Sequence, residues 1–547
     1  MYRGNKGAYR WLFVNTKPIF GAIFVLTVLG VLISFISVEF ALAARDLLDC
    51  ATGVSGKNFV SCVVRLAVLL AAEVALESIY NIYAVKISSK NKNRLQKNLF
   101  SSVMTGNYTG IGDYHSGELI NRLTGDINII NSNIIDVIPA FVMLVTTVVL
   151  SFRAMFMLDA QLSFICLALG PVVLVTSALY GRKMKKIHKD CQQSDGKTRS
   201  FMQECIQNIL VIKAFRNEKK AEEHTALLQN VNYKCNMKRG YISILVNLLY
   251  YLAMTAAYYF AVAWCAYKIS IGIMTVGTFT AVLQLVNSIQ TPFREISGTV
   301  SQFFATCASA ERIMEVENLP RDGIYQKNIT DFEKIEVSDL TFAYGDEEIF
   351  SGASLSIEKG DIAVISGDSG KGKSTFFKLL MGILSPGSGR LIVHTKDGSF
   401  EADDSTRSLF AYVPQGNMII SGTVGENIAF FSDAGMDEII KAAKCADIFE
   451  YINTLPDGFD TLLGEGGMGL SEGQIQRLAV ARALCTSAPI ILLDEATSSL
   501  DEETEARILE NIRSLDGRTI IIITHRKAAF QIAGKVITLE NGSFITD

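Results

Sequence analysis

Hydrophobic and polar positions change their rhythm once along this chain. Up to about residue 310, long uncharged stretches alternate with helix-forming polar ones, and beyond about residue 320 short β-rich runs alternate with turns and helical segments. Pro18–Val38, Leu162–Tyr180 and Tyr241–Tyr267 contain no charged side chain. Each is long enough to cross hydrocarbon as a helix, which takes about 20 apolar residues because the backbone must bond within the segment. Ile269–Phe293 is also uncharged and follows the previous run after Lys268 and a Ser/Gly-containing turn, so the spacing predicts a helical hairpin. Ile134–Met157 carries Asp136 and Arg153 near its ends, and Phe59–Val85 carries Arg65, Glu73 and Glu77. These six runs are the expected membrane spans.

Six spans leave two long polar loops on one side, residues 86–133 and 181–240, with six and fourteen Lys/Arg. Arg3, Lys6, Arg10 and Lys17 precede the first span. The positive-inside bias therefore places the N-terminus, both long loops and everything after residue 294 in the cytoplasm. Neither loop contains proline, so the spans are expected to continue as long helices beyond the membrane. Each loop has one interruption, Gly106–Gly117 in the first and Asn208–Asn217 with its apolar Ile209–Ile212 in the second, and these breaks are candidate docking points. No small-residue cleavage site follows a short apolar core, so the first span is expected to be retained as an anchor.

Composition agrees with part of the chain lying in lipid: 49% of its 547 residues are hydrophobic. A net charge of −4 from 51 basic and 55 acidic residues gives no reason to expect a nucleic-acid partner. The ten cysteines include no CxxC pair, which argues against a metal site. Cys50 and Cys62 flank a short loop on the outer side, either as a disulfide, if that compartment is oxidising, or as two free thiols.

The second half carries legible chemistry. Asp361–Ser366 reads as a buried strand, and it leads into Gly367, Asp368, Ser369, Gly370, Lys371, Gly372, Lys373, Ser374 and Thr375, followed by a helical run. This is GxxxxGK[ST] in its strand, loop, helix setting. Glycines let backbone N–H groups curl round a β-phosphate, Lys373 reaches the β/γ-phosphates, and Ser374 can coordinate Mg²⁺. A second apolar strand, Ile490–Asp494, ends in Asp494 and Glu495. A carboxylate pair at that end suits Asp494 to the Mg²⁺ shell and Glu495 to polarising an attacking water as general base.

Between these segments lies Leu470–Gln474, reading LSEGQ, followed by Ile475–Leu484. This resembles the signature sequence of ATP-binding cassette (ABC) proteins, whose usual form is LSGGQ. Further elements similar to that family occur in order: Tyr344 as the aromatic that stacks on adenine, Gln415 in the Q-loop, Gly464–Gly466 in the exporter-type X-loop, Ser499–Asp501 as the D-loop, and His525 as the switch histidine. Tyr114–Asp126 and Val211–Glu218 resemble the two coupling regions of exporter transmembrane domains. The resemblance is dense over residues 340–530 and looser before 310.

The resemblance implies a six-helix α-helical membrane domain over 1–312, a linker over 313–330 and an α/β P-loop NTPase domain of ABC type over 331–547. ATP and Mg²⁺ are the implied cofactors, with Ser374, Gln415 and Asp494 at the metal and Glu495, His525 and Gln415 as catalytic residues. Ser471, Gly473 and Gln474 of the signature are implied to face ATP held by a second chain, with Asp501 of the D-loop also at the nucleotide, so the functional particle is expected to be a dimer. A second copy of this chain is the expected partner, and one half of a heterodimer is the alternative. The implied activity is ATP-driven export of a small, amphipathic, lipid or peptide substrate, in the inner or plasma membrane of a bacterium. An ATP-gated channel or regulatory subunit is the competing class. Glu472 takes the third signature position, usually glycine in the family, where a carboxylate near phosphate must point away. In the membrane half, Glu73 and Glu77 suggest a cation or proton role or pairing with a neighbouring helix. Tyr250, Tyr251, Met254, Tyr258 and Tyr259, with Gln284, Asn287 and Gln290, either line a cavity or pack helices.

Overall fold

The computed structural model describes residues 4–323 and 332–546, apart from 369, 417–418, 465–466, 468 and 516. Two compact units emerge, one of Met1–Ser101 with His115–Asn318 and the other of Ser102–Tyr114 with Leu319–Asp547. In chain order the first ten helices are α1 (Gly4–Thr16), α2 (Phe20–Ala51), α3 (Phe59–Thr105), α4 (Tyr108–Gly112), α5 (Ser116–Asn121), α6 (Ile127–Leu158), α7 (Ala160–Gln207), α8 (Ile209–Ala214), α9 (Glu218–Ser270) and α10 (Val276–Glu317). Both loop interruptions thus fold as short helices, α4 and α8, between long ones. Among the described residues, four segments, Gly7–Ala51, Phe59–Thr105, Ser116–Leu158 and Glu218–Ser270, are long and apolar enough to cross a membrane. The expected spans Leu162–Tyr180 and Ile269–Phe293 fall in α7 and at the α9–α10 junction, partly outside the described side chains.

The hairpin between the last two spans departs from the sequence pattern. Helix α9 runs on to Ser270, Gly272 turns the chain at φ 77°, and α10 begins only at Val276, so residues 271–275 are turn rather than span. Thr275 decides the start: its Oγ1 accepts from Thr278 N at 3.1 Å. At the other open question, Cys50 and Cys62 are both free thiols.

Buried carboxylates pin the helices of this unit. Asp159, between α6 and α7, accepts from Gln161 N (3.1 Å) and Leu162 N (3.2 Å) as the cap of α7, and from Trp264 Nε1 (3.1 Å) and Lys268 Nζ (2.7 Å) of α9. Asp49 accepts from Gly277 N at 3.1 Å, an approach so close that a Cβ at Gly277 would lie 2.4 Å from the Arg45 carbonyl oxygen. Asp126 closes a π-helical turn, Arg122–Asp126, and accepts from Ser309 Oγ and Arg312 Nε of α10, both at 2.9 Å. Gln290 donates to Met254 O at 3.5 Å, so this member of the polar stripe packs α10 on α9.

In the second unit an antiparallel sheet is ordered β2-β1-β4-β5: β1 (Phe332–Tyr344), β2 (Glu347–Glu358), β4 (Ser388–Thr395) and β5 (Gly398–Glu401). A six-stranded sheet is ordered β12-β11-β3-β10-β9-β6: β3 (Ile362–Ser366), β6 (Phe410–Val413), β9 (Ile490–Asp494), β10 (Thr519–Ile523), β11 (Lys535–Glu540) and β12 (Ser543–Thr546). A small pair, β7 (Gly422–Thr423) and β8 (Leu462–Leu463), stands apart. Strands β11, β3, β10, β9 and β6 are parallel, and β9 and β10 are buried throughout, as expected of strands covered on both faces. Alternation along them divides two cores: Ile491, Leu493, Ile520 and Ile522 face one, and Ile490, Leu492, Ile521 and Ile523 the other. The remaining helices are α11 (Lys373–Leu380), α12 (Val424–Ala429), α13 (Met436–Cys445), α14 (Phe449–Thr454), α15 (Glu472–Cys485), α16 (Glu502–Arg513) and α17 (Lys527–Ile532). Helix α4 belongs to this unit: Asn107 N donates to Pro320 O (2.8 Å), and Lys378 Nζ sits 5.4 Å from the Tyr108 ring centre.

Asp159 supplies a test of the first unit. Asp159→Ala uncaps α7 and strands Lys268, and is expected to cost about 3 kcal/mol. Asp159→Asn should cost less; thermal unfolding of the detergent-purified protein checks the order, and equal midpoints for wild type and Asp159→Ala would refute it.

Candidate functional site

Four parallel strands deliver their carboxyl ends to one place. β3 leads into the Gly367–Thr375 loop, β6 leads to Gln415, β9 ends in Asp494 and β10 leads to His525. The loop's backbone demands glycine: Gly370 and Gly372 have φ of 78° and 99°, and a Cβ on Gly372 would lie 2.2 Å from Ile349 Cγ2. Gly372 then caps α11, whose first residues are Lys373, Ser374 and Thr375. Ser369 lies outside the described residues. Lys371 N donates to Asp368 O at 3.4 Å, keeping the loop tight.

Lys373 is 7% exposed, and its ammonium donates to Gly367 O and to Asp368 O (3.0 Å), with His525 Nε2 at 3.2 Å. Burial pulls its pKa down, with Glu495 and Asp494 acting in the opposite direction. Asp494 is 1% exposed; its Oδ2 accepts from Tyr412 OH at 3.2 Å and its carboxylate also accepts from Ser374, while Oδ1 has no hydrogen-bond partner. Burial pushes this carboxyl up, against the bonds from Ser374 and Tyr412 and the charge of Lys373. Burial and Asp494 together push the Tyr412 phenol up as well. Glu495 adopts φ 49°, uncommon for a residue with a Cβ, and is held there by its N–H on Ile523 O (2.9 Å). Its Oε2 accepts from Gln415 Nε2 at 2.6 Å. Phosphate-directed N–H groups, an ammonium, a buried carboxylate with a spare oxygen and a second, strained carboxylate thus converge.

A second cluster sits at the starts of α15 and α16. Ser471 caps α15 reciprocally with Gln474: Gln474 N donates to Ser471 Oγ (3.3 Å) and Ser471 N to Gln474 Oε1 (2.8 Å). Gly473 lies against Ser499 and Leu500, where a Cβ would come within 3.3 Å of Ser499 O and of Leu500 Cδ2. Asp501 caps α16 through Thr504 N (2.9 Å), which holds its pKa below the ordinary range. Glu472 is exposed in the first turn of α15, where the helix dipole favours an acid. Among the described residues, no hydrogen bond or ion pair joins Ser471, Gly473, Gln474 or Asp501 to Gly367–Thr375. Tyr344 stands at the end of β1, 46% exposed, edge-on to Phe342 at 5.0 Å. Of the X-loop, Glu465 and Gly466 lie outside the described residues.

Two comparisons with known families cover most of the chain. The model for the ABC transporter transmembrane region matches residues 19–293, and that for the ABC transporter matches residues 350–498. A probable ABC transporter ATP-binding/permease protein of Haemophilus influenzae is 30% identical, over 93% of this chain and 93% of its own. The chain belongs to the ABC transporter family. The ATP-dependent lipid A-core flippase of Pseudomonas aeruginosa is 31% identical over 89% of this transporter and 82% of its own length. A bacterial Atm1-family ABC exporter with ATP bound shares the fold with a TM-score of 0.80 at 23% identity, over 96% of this chain and 94% of that one. The transporter is therefore an integral membrane ABC exporter that binds ATP and couples ATPase activity to translocation.

Three side chains escaped the sequence pattern. Tyr412 holds Asp494 from β6. Gln476 donates to Ser498 Oγ (3.0 Å) and Ser499 Oγ (3.2 Å) and accepts from Ser499 N (3.0 Å), tying α15 to the D-loop. Arg526 donates to Leu500 O and Ser498 O, both at 2.6 Å, and pairs with Glu505 at 3.0 Å. Adjacency to His525 and the signature was the only signal, since a polar residue in a helix or after a strand is ordinarily solvated.

Asp494 makes a pH prediction. A carboxyl whose folded pKa is raised keeps its proton when the unfolded chain has lost it, so its contribution to stability falls as pH rises through the ordinary carboxylate range. Asp494→Asn should therefore raise the unfolding midpoint of the nucleotide-free transporter by about 3 °C near neutral pH, a gain shrinking toward about pH 4. Calorimetry decides it; a lower midpoint at neutral pH would contradict the reading.

Proposed function

We propose that the transporter is an ATP-driven exporter that works as a dimer with two composite ATP sites and moves an amphipathic, lipid-like substrate by alternating access. The observation that carries this is the separation within one chain between the Lys373–Asp494–Glu495 cluster and the Ser471–Gly473–Gln474 cluster. One cassette holds each half of an ATP site once, so a second cassette facing it completes two sites.

Within the first cluster the backbone N–H groups of Gly370–Ser374 hold phosphate, and Lys373 turns from the loop carbonyls to phosphate oxygens. An all-oxygen donor set suits a hard divalent cation, and the unpartnered buried Oδ1 of Asp494 beside Ser374 fits Mg²⁺. Ser374, Asp494 and the amide oxygen of Gln415 would hold it. When bound, Mg²⁺ supplies neutralisation of charge developing between the β- and γ-phosphates. Glu495 orients water in line with the γ-phosphorus and accepts its proton, and the bond from Gln415 fixes which carboxylate oxygen is engaged. His525 beside Lys373 senses the γ-phosphate. Ser471 and the α15 N-terminus meet the same phosphate from the partner cassette, while Tyr344 stacks on adenine.

ATP favours the closed dimer by its differential affinity for that state, which is what moves the conformational population. The exposed apolar side chains of α8 and of the residue that ends it, Leu210 at 79% and Phe215 at 72%, support a docking role for the second loop. A lipid-like cargo is supported by the flippase relatives. We place the N-terminus and the cassette in the cytoplasm of a bacterium.

Glu495→Gln is expected to cut ATP turnover at least about 100-fold while leaving ATP binding intact. ATPase assays in nanodiscs with native mass spectrometry of the particle test both parts. Turnover near normal sinks the base assignment, and an active one-chain particle sinks the dimer. A particle inactive unless mixed with a different half-transporter would replace the homodimer by a heterodimer.

A further inference from the structure

Helices α7 and α9 run antiparallel beside one another and carry α8 between them. Three facing pairs fix one register: Cys191 with Cys235, Asp195 with Asn232 and Phe201 with His224. The Asn232 amide donates to Asp195 Oδ1 at 3.2 Å, and the rings of Phe201 and His224 meet at 4.6 Å. In that register the Sγ atoms of Cys191 and Cys235 are 2.6 Å apart. Cys191 is 3% exposed and Cys235 is half-buried, so a small oxidant reaches one sulfur while the other waits behind it. Neither cysteine is among the residues read as holding ATP or its cation, and both lie in the 181–240 loop that the charge pattern places in the cytoplasm.

We propose that Cys191 and Cys235 form a reversible dithiol/disulfide site that staples α7 to α9 and sets the stiffness of the hairpin bearing α8. The inference is independent of the cargo and of the pairing of chains. With hydrogen peroxide as oxidant, the Cys235 thiolate attacks one peroxide oxygen and becomes a sulfenic acid, releasing hydroxide that takes up the thiol proton as water. The Cys191 sulfur then attacks the sulfenic sulfur; the S–S bond forms, hydroxide leaves, and it carries off the Cys191 proton as a second water. Two thiols are oxidised and one peroxide is reduced. A dithiol reverses the reaction by exchange, itself ending as a cyclic disulfide. Burial, then Cys235 and Asp190, push the Cys191 thiol up to about 11 against the charge of Arg239, so Cys191 rests protonated and the second step quickens with rising pH. Closing the loop between positions 191 and 235 restricts splaying of the two helices, and with it the excursions of α8.

The test uses the full-length transporter in nanodiscs, treated with hydrogen peroxide, alkylated and digested for mass spectrometry, with hydrogen exchange measured on the same samples. The expected result is a linked peptide joining Cys191 and Cys235 within one chain, lost on adding dithiothreitol and absent from both Cys191→Ser and Cys235→Ser. Exchange across residues 204–222 should slow severalfold in the oxidised wild type and not in the oxidised Cys235→Ser protein, whose half-buried site tolerates serine. Cys205, also on α7, should be alkylated throughout. Both thiols alkylated after peroxide, a link to Cys205 or between chains, or unchanged exchange in the linked protein would each overturn the proposal.

Discussion

Asp494 is held in the core of the cassette with Oδ2 accepting from Tyr412 and Oδ1 left without a hydrogen-bond partner. Burying a carboxylate costs free energy unless its lone pairs are met, so the sheet that carries it must be stable enough to bear the deficit. The five parallel strands provide that stability: β9 and β10 are buried from end to end and alternate their side chains between two cores. A buried acid with a spare oxygen, an ammonium 3.2 Å from His525, and Glu495 at φ 49° are all configurations that the free chain disfavours. Such configurations concentrate where a fold over-determines them, and here they gather at the carboxyl ends of β3, β6, β9 and β10.

The second cluster is built on the opposite plan. Ser471 and Gln474 satisfy each other, Asp501 satisfies Thr504 N, and Gln476 with Arg526 grip the backbone and hydroxyls of residues 498–500. Among the described residues of that cluster, nothing is left wanting a partner in the way Asp494 Oδ1 is. A surface with its polar groups already paired suits reversible docking, because it can separate without exposing unsatisfied buried donors. The close approach at Gly473 explains the absence of a side chain there: the helix N-terminus and the D-loop backbone must share that space.

Much of this was legible because local rules and the global fold agree. The P-loop glycines, the apolar runs of β3 and β9 and the paired acids at the end of β9 follow from spacing alone. Family resemblance added Gln415 and His525, which the strand order then brings beside Lys373 and Glu495. Tyr412, Gln476 and Arg526 stayed hidden because their value depends on contacts with residues 82, 23 and 28 positions away, which no local pattern encodes. In the membrane unit, uncharged length located α2, α7 and α9 but misplaced the start of α10. An uncharged turn of Ile271–Thr275 is invisible to hydropathy, and only the Thr275 cap and Gly272 mark it.

The same reasoning explains where charge is tolerated in the first unit. Asp159, Asp49 and Asp126 are each buried, and each binds a backbone N–H or a side-chain donor from α9 or α10. Helices in lipid gain little from burying apolar faces against one another, so close packing and polar contacts must supply specificity. Placing these carboxylates at helix ends and at the π-helical turn, rather than mid-span, keeps the cost of burial low while fixing the register of α9 and α10 against their neighbours. Sliding either helix by one turn would part an acid from its donors, so the bundle is confined to motions that carry each pinned junction as a body.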